Sequence, residues 1–408
     1  MPDAGRPPTP RPSALGGYED WPSWVDGRVP RSGPRAAAPR NLHGAGDGAG
    51  DDVGQDVGAL LAELIGLPSP DTSVPPAGPG LRTLGRWERD GVSTEAVEWW
   101  VGFGPPTRGW LLRPSAPAGE PLPGVLALHC HGGVKSVGAE RLLRTPHPTD
   151  VAQRLRAELY EGRALAEDLA RSGHVVLAHD TFAWGSRRFA LDPLPDSLRE
   201  PMRWAEAAWS ADGTSPDDHA RYDAAAALHE HVVAKAAGLL GTSFAGMVAH
   251  DDLVALQVLR ATADVDPARV AVAGFSGGGG RAAVLASLVP DLRAAAVVAM
   301  MTTTTALLPR WADAHSWLLT TPGLLGRLGL PRIAAGRRTH DLLAVSFADD
   351  RLFPPAGVRA AHAELTDLYA APAATGTFHG EILPGDHVVT AAAADLVTDF
   401  LHGALAAR

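Results

Sequence analysis

Cysteine is nearly absent: Cys130 is the only one in 408 residues, which excludes an internal disulfide framework and any cysteine-based zinc site. Positive charge is also scarce. Lys and Arg total 36 against 46 Asp and Glu, a formal net charge of −10, so an extended phosphate backbone would find nothing to neutralise it and nucleic acid is not an expected partner. No apolar run approaches the roughly 18 residues of a membrane span. The first 50 residues contain no continuous apolar core of the signal-peptide kind. The expected location is cytoplasmic, with no membrane partner.

What the sequence does contain is a core's worth of apolar residues, 45% of the chain, together with abundant Gly and Pro. The first 50 residues, rich in both, are expected to form a partly disordered arm, with Tyr18 to Val29 as the portion able to dock. Residues 51–90 read as a helical and extended lead-in, including an amphipathic helix over Asp51–Gly66 that Pro68 ends. Strand signals follow at Ser93–Phe103 and Gly109–Leu112.

From Gly124 onward the pattern is strand, helix, strand with short breaks, which implies a parallel sheet with crossover helices. Apolar runs at Gly124–Leu128, His174–Ala178, Val270–Ala273, Ala294–Met300, Leu342–Phe347 and Thr377–Leu383 supply the strands. Two long stretches, about 186–241 and 302–338, interrupt the alternation and carry Trp204, Trp209, Trp311 and Trp317. They are read as insertions over the carboxyl ends of the strands, where pockets form in open α/β sheets.

The stretch Ala271–Arg281, AVAGFSGGGGR, organises the rest. A strand delivers the chain to Gly274, Phe275, Ser276, Gly277 and Gly278, and a helix-compatible run follows. This is the context of a nucleophile elbow, in which a serine sits on a sharp turn between a strand and a helix packed too closely for flanking side chains. Gly277, Gly279 and Ala282 also fit GxGxxA, but the acid that a dinucleotide site requires should end the next strand, and Asp291 precedes it. No Lys followed by Ser or Thr completes a phosphate loop.

A serine hydroxyl needs a base, and the base needs a carboxylate to orient it. On an elbow fold the chain order is Ser, Asp or Glu, then His. The turn after Leu342–Phe347 holds Asp349 and Asp350, and the turn after Thr377–Leu383 holds His387. Asp350 is preferred to Asp349, because its spacing leads into the next helix. His387 is preferred to His379, which lies near a strand start. For the oxyanion the expected donors are the Gly277 amide and one from Gly132 to Val134, with Gly133 and Val134 singled out. His129 and His131 lack a third metal ligand, so pocket lining is the better reading, and no metal or cofactor is expected.

LALHCHGG near 126–133, LARSGHVVLAHDTFAWGSRR over 169–188, GFSGGGGR over 274–281, FADDRLFP over 347–354 and PGDH over 384–387 together resemble the α/β-hydrolase superfamily. Within it they are similar to the dienelactone-hydrolase-like and acetyl-xylan-esterase-like branch. The likeness covers roughly 95–405. It implies an α/β-hydrolase domain over 91–408, with an eight-stranded, mostly parallel sheet, helices on both faces and helical insertions. It also implies a Ser, Asp, His triad acting on esters. One well-known acetyl xylan esterase type has an RGQ motif where this chain has Asp180–Arg188, and dienelactone hydrolases proper use Cys as nucleophile. The expected activity is therefore hydrolysis of an unspecified small-molecule carboxylic ester through an acyl-enzyme. The same triad also serves peptidases, amidases and acyltransferases, and a non-catalytic hydrolase-fold binding protein is the alternative outside catalysis. Oligomeric state is left open.

Overall fold

The computed structural model describes residues 12–29, 56–69, 81–116 and 119–406. The disorder expected for the first 14 residues falls largely on residues 1–11, outside the described part, as does the start of the helix expected from Asp51. That helix is described over Val57–Leu64, with the Asp56 carboxylate accepting the Gly58 and Ala59 amides as its cap.

A nine-stranded sheet forms the centre. Its strands are β1 (Arg82–Arg89), β2 (Val92–Trp99), β3 (Thr107–Pro114), β4 (Leu122–Leu128), β5 (Val175–His179), β6 (Val265–Phe275), β7 (Ala294–Val298), β8 (Asp341–Phe347) and β9 (Phe378–Leu383). They lie in the order β1-β2-β3-β5-β4-β6-β7-β8-β9. The first three pair antiparallel, β3 meets β5 antiparallel, and β4 to β9 run parallel. The eight-stranded expectation is thus corrected to nine. The additional strand, RTLGRWER, is an edge strand with no buried residue, so it lacks the apolar alternation that reveals a strand in sequence. It joins β2 through Asp90 and Gly91, both at positive φ, as a two-residue hairpin turn demands.

Period-two alternation sends neighbouring residues to opposite faces. Leu126, Leu128, Val270, Val272, Leu342 and Ala344 belong to one buried cluster. Val125, Ala127, Ala271, Ala273, Leu343 and Val345 belong to the other. Helices cover both faces, which is why these strands read as continuous apolar runs. Among the described residues no single helix is long and apolar enough to cross a membrane.

Residues 12–29 are built into the first cluster. Tyr18 and Trp21 are fully buried. The Tyr18 ring meets Phe182 edge-on at 4.9 Å, and Trp24 packs on Phe103 at 4.6 Å. The strand expected over Ser93–Phe103 ends at Trp99. The loop beyond it receives these aromatics, and a Cβ on Gly102 or Gly104 would run into Trp24 or Tyr18.

Candidate active site

Ser276 follows β6 and precedes the helix Gly277–Leu288. Its φ of 55° and ψ of −123° lie where a residue with a Cβ is strained, a conformation that persists only when the surroundings enforce it. Enforcement comes from the Ser276 amide, which donates to the Val298 carbonyl at 2.8 Å, and from tight flanks. A Cβ on Gly274 would collide with the Gly278 carbonyl, and one on Gly278 with the Leu128 carbonyl. Ser276 itself is half-buried.

Because β8 and β9 are parallel neighbours with Phe347 opposite Leu383, the turns that follow them meet at one sheet edge. There His387 Nδ1 donates to Asp350 Oδ2 at 2.7 Å, which leaves Nε2 as the unprotonated nitrogen. The other Asp350 oxygen accepts the Leu352 amide at 2.9 Å. Asp350 and His387 are both buried. Asp349 is exposed and links the two turns instead, its amide donating to the Gly385 carbonyl at 3.0 Å. His379 is exposed and packs on Phe400, away from this pair. The His387 ring lies 4.7 Å from the ring of Phe275, the residue before Ser276, and 6.1 Å from Phe353.

The loop after β4 carries the amides expected to serve as donors. The Gly133 amide donates to His131 Nδ1 at 3.0 Å, and the Val134 amide points to the His131 carbonyl at 3.4 Å. Both amides are therefore committed within their own turn. The amide that lies beside Gly277 is that of His131: a Cβ on Gly277 would stand 3.0 Å from His131 N and 3.4 Å from Leu318 Cδ2. Neither the Gly277 nor the His131 amide has an acceptor among the described residues. Such a pair of free donors can bind a developing oxyanion.

Beneath the elbow, Arg281 forms two hydrogen bonds to Asp252, at 2.6 and 2.9 Å, and donates to the His129 carbonyl at 3.1 Å. Burial pushes Asp252 upward, but the Arg281 guanidinium and His179 outweigh it and hold the carboxyl at about 2. Burial first, then Arg281 and Arg141, keep His129 well below the usual histidine range. Asp180, the acid that ends β5, accepts the Ala139 and Ser186 amides, each at 2.8 Å, and so joins the loops after β4 and β5.

The insertions close over this edge. Trp184 Nε1 donates to the Val134 carbonyl at 2.8 Å. Glu230, from the insertion helix Asp218–Leu239, pairs with Lys135 at 2.5 Å, and no strand-end signal could have marked Glu230 in the sequence. A groove of about 2170 Å³ runs beside the same loop, lined by Ser136, Gly138, Asp180, Arg188, Phe189 and Tyr222. Ser276, Asp350 and His387 do not line it.

The chain is similar to solved esterase structures. A glucuronoyl esterase from Solibacter usitatus superposes with a TM-score of 0.54 at 14% identity, over 87% of this chain and 93% of that one. An acetyl xylan esterase from Paenibacillus sp. R4 does so with a TM-score of 0.50 at 15% identity, over 86% and 94%. The chain has the α/β-hydrolase fold. In sequence it is 23% identical over 283 residues to a protein provisionally named as a hydrolase, YtaP, from Bacillus subtilis (strain 168), spanning 69% of this chain and 78% of that one. No family model matches. Relative to the eight strands expected of this hydrolase fold, the ninth is β1, and the two insertions sit at the edge that carries the elbow.

Proposed function

We propose that the protein is a serine hydrolase of carboxylic esters, with Ser276 as nucleophile, His387 as base and Asp350 as its orienting carboxylate. The observation that carries the reading is the 2.7 Å bond from His387 Nδ1 to Asp350, at the edge where Ser276 stands in its strained turn. That bond fixes the tautomer in which Nε2 accepts the serine proton. Ser276 Oγ attacks the acyl carbon, the carbonyl oxygen takes the negative charge, and the Gly277 and His131 amides donate to it. As the carbon–oxygen bond to the alcohol breaks, the His387 imidazolium returns its proton to the leaving oxygen. Water, deprotonated by the same Nε2, then attacks the acyl-enzyme and releases the acid and Ser276. The names of the similar structures, esterases of acetylated and glucuronoylated compounds, favour an ester over an amide as the bond cleaved.

A fluorophosphonate probe is expected to label wild-type protein at Ser276, and Ser276→Ala is expected to abolish both labelling and hydrolysis of short-chain nitrophenyl esters. Hydrolysis that survives in a folded Ser276→Ala protein would end the proposal.

A further inference from the structure

The second donor of the proposed reaction sits on a loop whose two glycines leave it to be held largely by neighbouring segments. His131 is followed by Gly132 and Gly133, at φ of 64° and 71°, and glycine imposes little preference on the backbone. On one side Arg141 donates to the Cys130 and His131 carbonyls at 3.1 and 3.2 Å; on the other, the restraint comes from one face of the insertion helix Asp218–Leu239, at two points seven residues apart. Asp223 Oδ1 accepts the amides of Lys135 and Ser136, both at 2.7 Å, and Asp223 Oδ2 accepts the Ser136 hydroxyl at 2.8 Å. Two turns further along, Glu230 Oε2 meets Lys135 Nζ at 2.5 Å and faces His131 Nε2 at 3.8 Å.

The tautomer of His131 follows from its other nitrogen. Nδ1 accepts the Gly133 amide, so in the neutral ring the proton is on Nε2, the nitrogen that faces Glu230. The ring is thereby held by a hydrogen bond at Nδ1 and faces the Glu230 carboxylate across 3.8 Å at Nε2, and it meets Trp184 edge-on at 5.2 Å. Glu230 is itself fixed from the second insertion, since its Oε1 accepts the Trp317 amide at 2.9 Å. Burial raises the Glu230 carboxyl, but the Lys135 cation and His131 outweigh it, and the group stays ionised. Lys135 is one of only two lysines in the chain, the other being Lys235. It is buried, with its ammonium 3.4 Å from the centre of the Trp184 ring.

We infer that Glu230 is a positioning residue for the reaction: through the His131 ring it aims the His131 amide at the oxyanion, and so couples both insertions to the chemical step. This rests on the serine-hydrolase reading above. A positioning error at an oxyanion donor affects the transition state far more than ground-state binding, so it appears in kcat and not in KM.

Glu230→Gln alone strands the buried Lys135 cation, a change that by itself destabilises a protein. The decisive variant is therefore Lys135→Met with Glu230→Gln, which removes both charges while leaving His131 without its carboxylate. On a short-chain nitrophenyl ester it is expected to lower kcat by roughly 10- to 100-fold with KM changed by less than about 3-fold. A kcat equal to wild type in the folded double variant would overturn the inference. A second measurement needs no variant to fold: nitrogen NMR of histidine-labelled wild-type protein is expected to give His131 as the Nε2-protonated tautomer, and an Nδ1-protonated ring would equally overturn it. If wild-type protein does not label at Ser276, the hydrolase reading falls. If it labels but the double variant turns over normally, only the role of Glu230 falls.

Discussion

In the proposed reaction, backbone geometry at Ser276 and its neighbours carries as much of the chemistry as side chains do. Gly274 and Gly278 are required because strand and helix cross without room for a methyl group, and this was readable in the pattern GFSGG. Gly277 has a different constraint. A Cβ there would stand 3.0 Å from His131 N, in the space between the two free amides. Gly277→Ala is therefore expected to lower kcat by roughly 100-fold, the order seen on losing one oxyanion donor, with little change in melting temperature. Unchanged kcat would show that the oxyanion does not sit there. The choice of Asp350 over Asp349 rested on its spacing to the following helix, and the structure joins Asp350 to His387. Gly133 and Val134 are the expected donors in this loop, whereas the proposed reaction uses the His131 amide. Those amides fold back on His131, a local hydrogen-bonding outcome that a pair of glycines does not announce.

Among the elements, the segment at 12–29 is packed in the core despite lying in a Pro- and Gly-rich part of the sequence. Trp21 is fully buried and its ring lies 5.7 Å from Phe182, so the segment acts as a piece of core supplied from far away in sequence. Trp21→Ala is expected to cost about 3 to 5 kcal/mol, the range for truncating a buried large aromatic, as measured by urea denaturation. A cost below about 1 kcal/mol would mean the segment is docked without contributing to stability. The insertion helix Asp218–Leu239 makes the complementary point. Its sequence reads as helix, yet which face would grip the 131–138 loop through Asp223 and Glu230 depended on how the loop and helix meet.

For the molecule as a whole, buried ionisable groups set how it responds to acid. Burial lowers His340 to about 4, below its ordinary 6.5, so between those values the unfolded chain binds a proton that the folded one refuses. Asp252 is held at about 2 against an ordinary 3.8, so between those values the unfolded chain again binds more protons. Both effects have the same sign: stability rises with pH through each window and is lost on acidification. Urea midpoints are expected to fall from pH 6.5 to 4 and again from about 4 to 2. Asp252→Asn removes its own share of the lower step and also leaves Arg281 buried without its counter-ion, a loss of about 3 to 5 kcal/mol at neutral pH. A midpoint independent of pH below 6.5 would contradict this account.

The sequence by itself determined the parallel α/β core and the strand, tight turn and helix around Ser276, and it marked Asp350 and His387 as strand-end residues, because each is written in local pattern: apolar runs of strand length, glycines flanking a turn, and polar residues just beyond strand ends. It did not determine the edge strand β1, whose exposed residues leave no periodic trace. Nor did it determine the His131 amide or the grip of Glu230 and Asp223 on its loop. Those depend on contacts between segments about 90 residues apart, and only the tertiary packing of the insertions against the strand ends decides which groups meet.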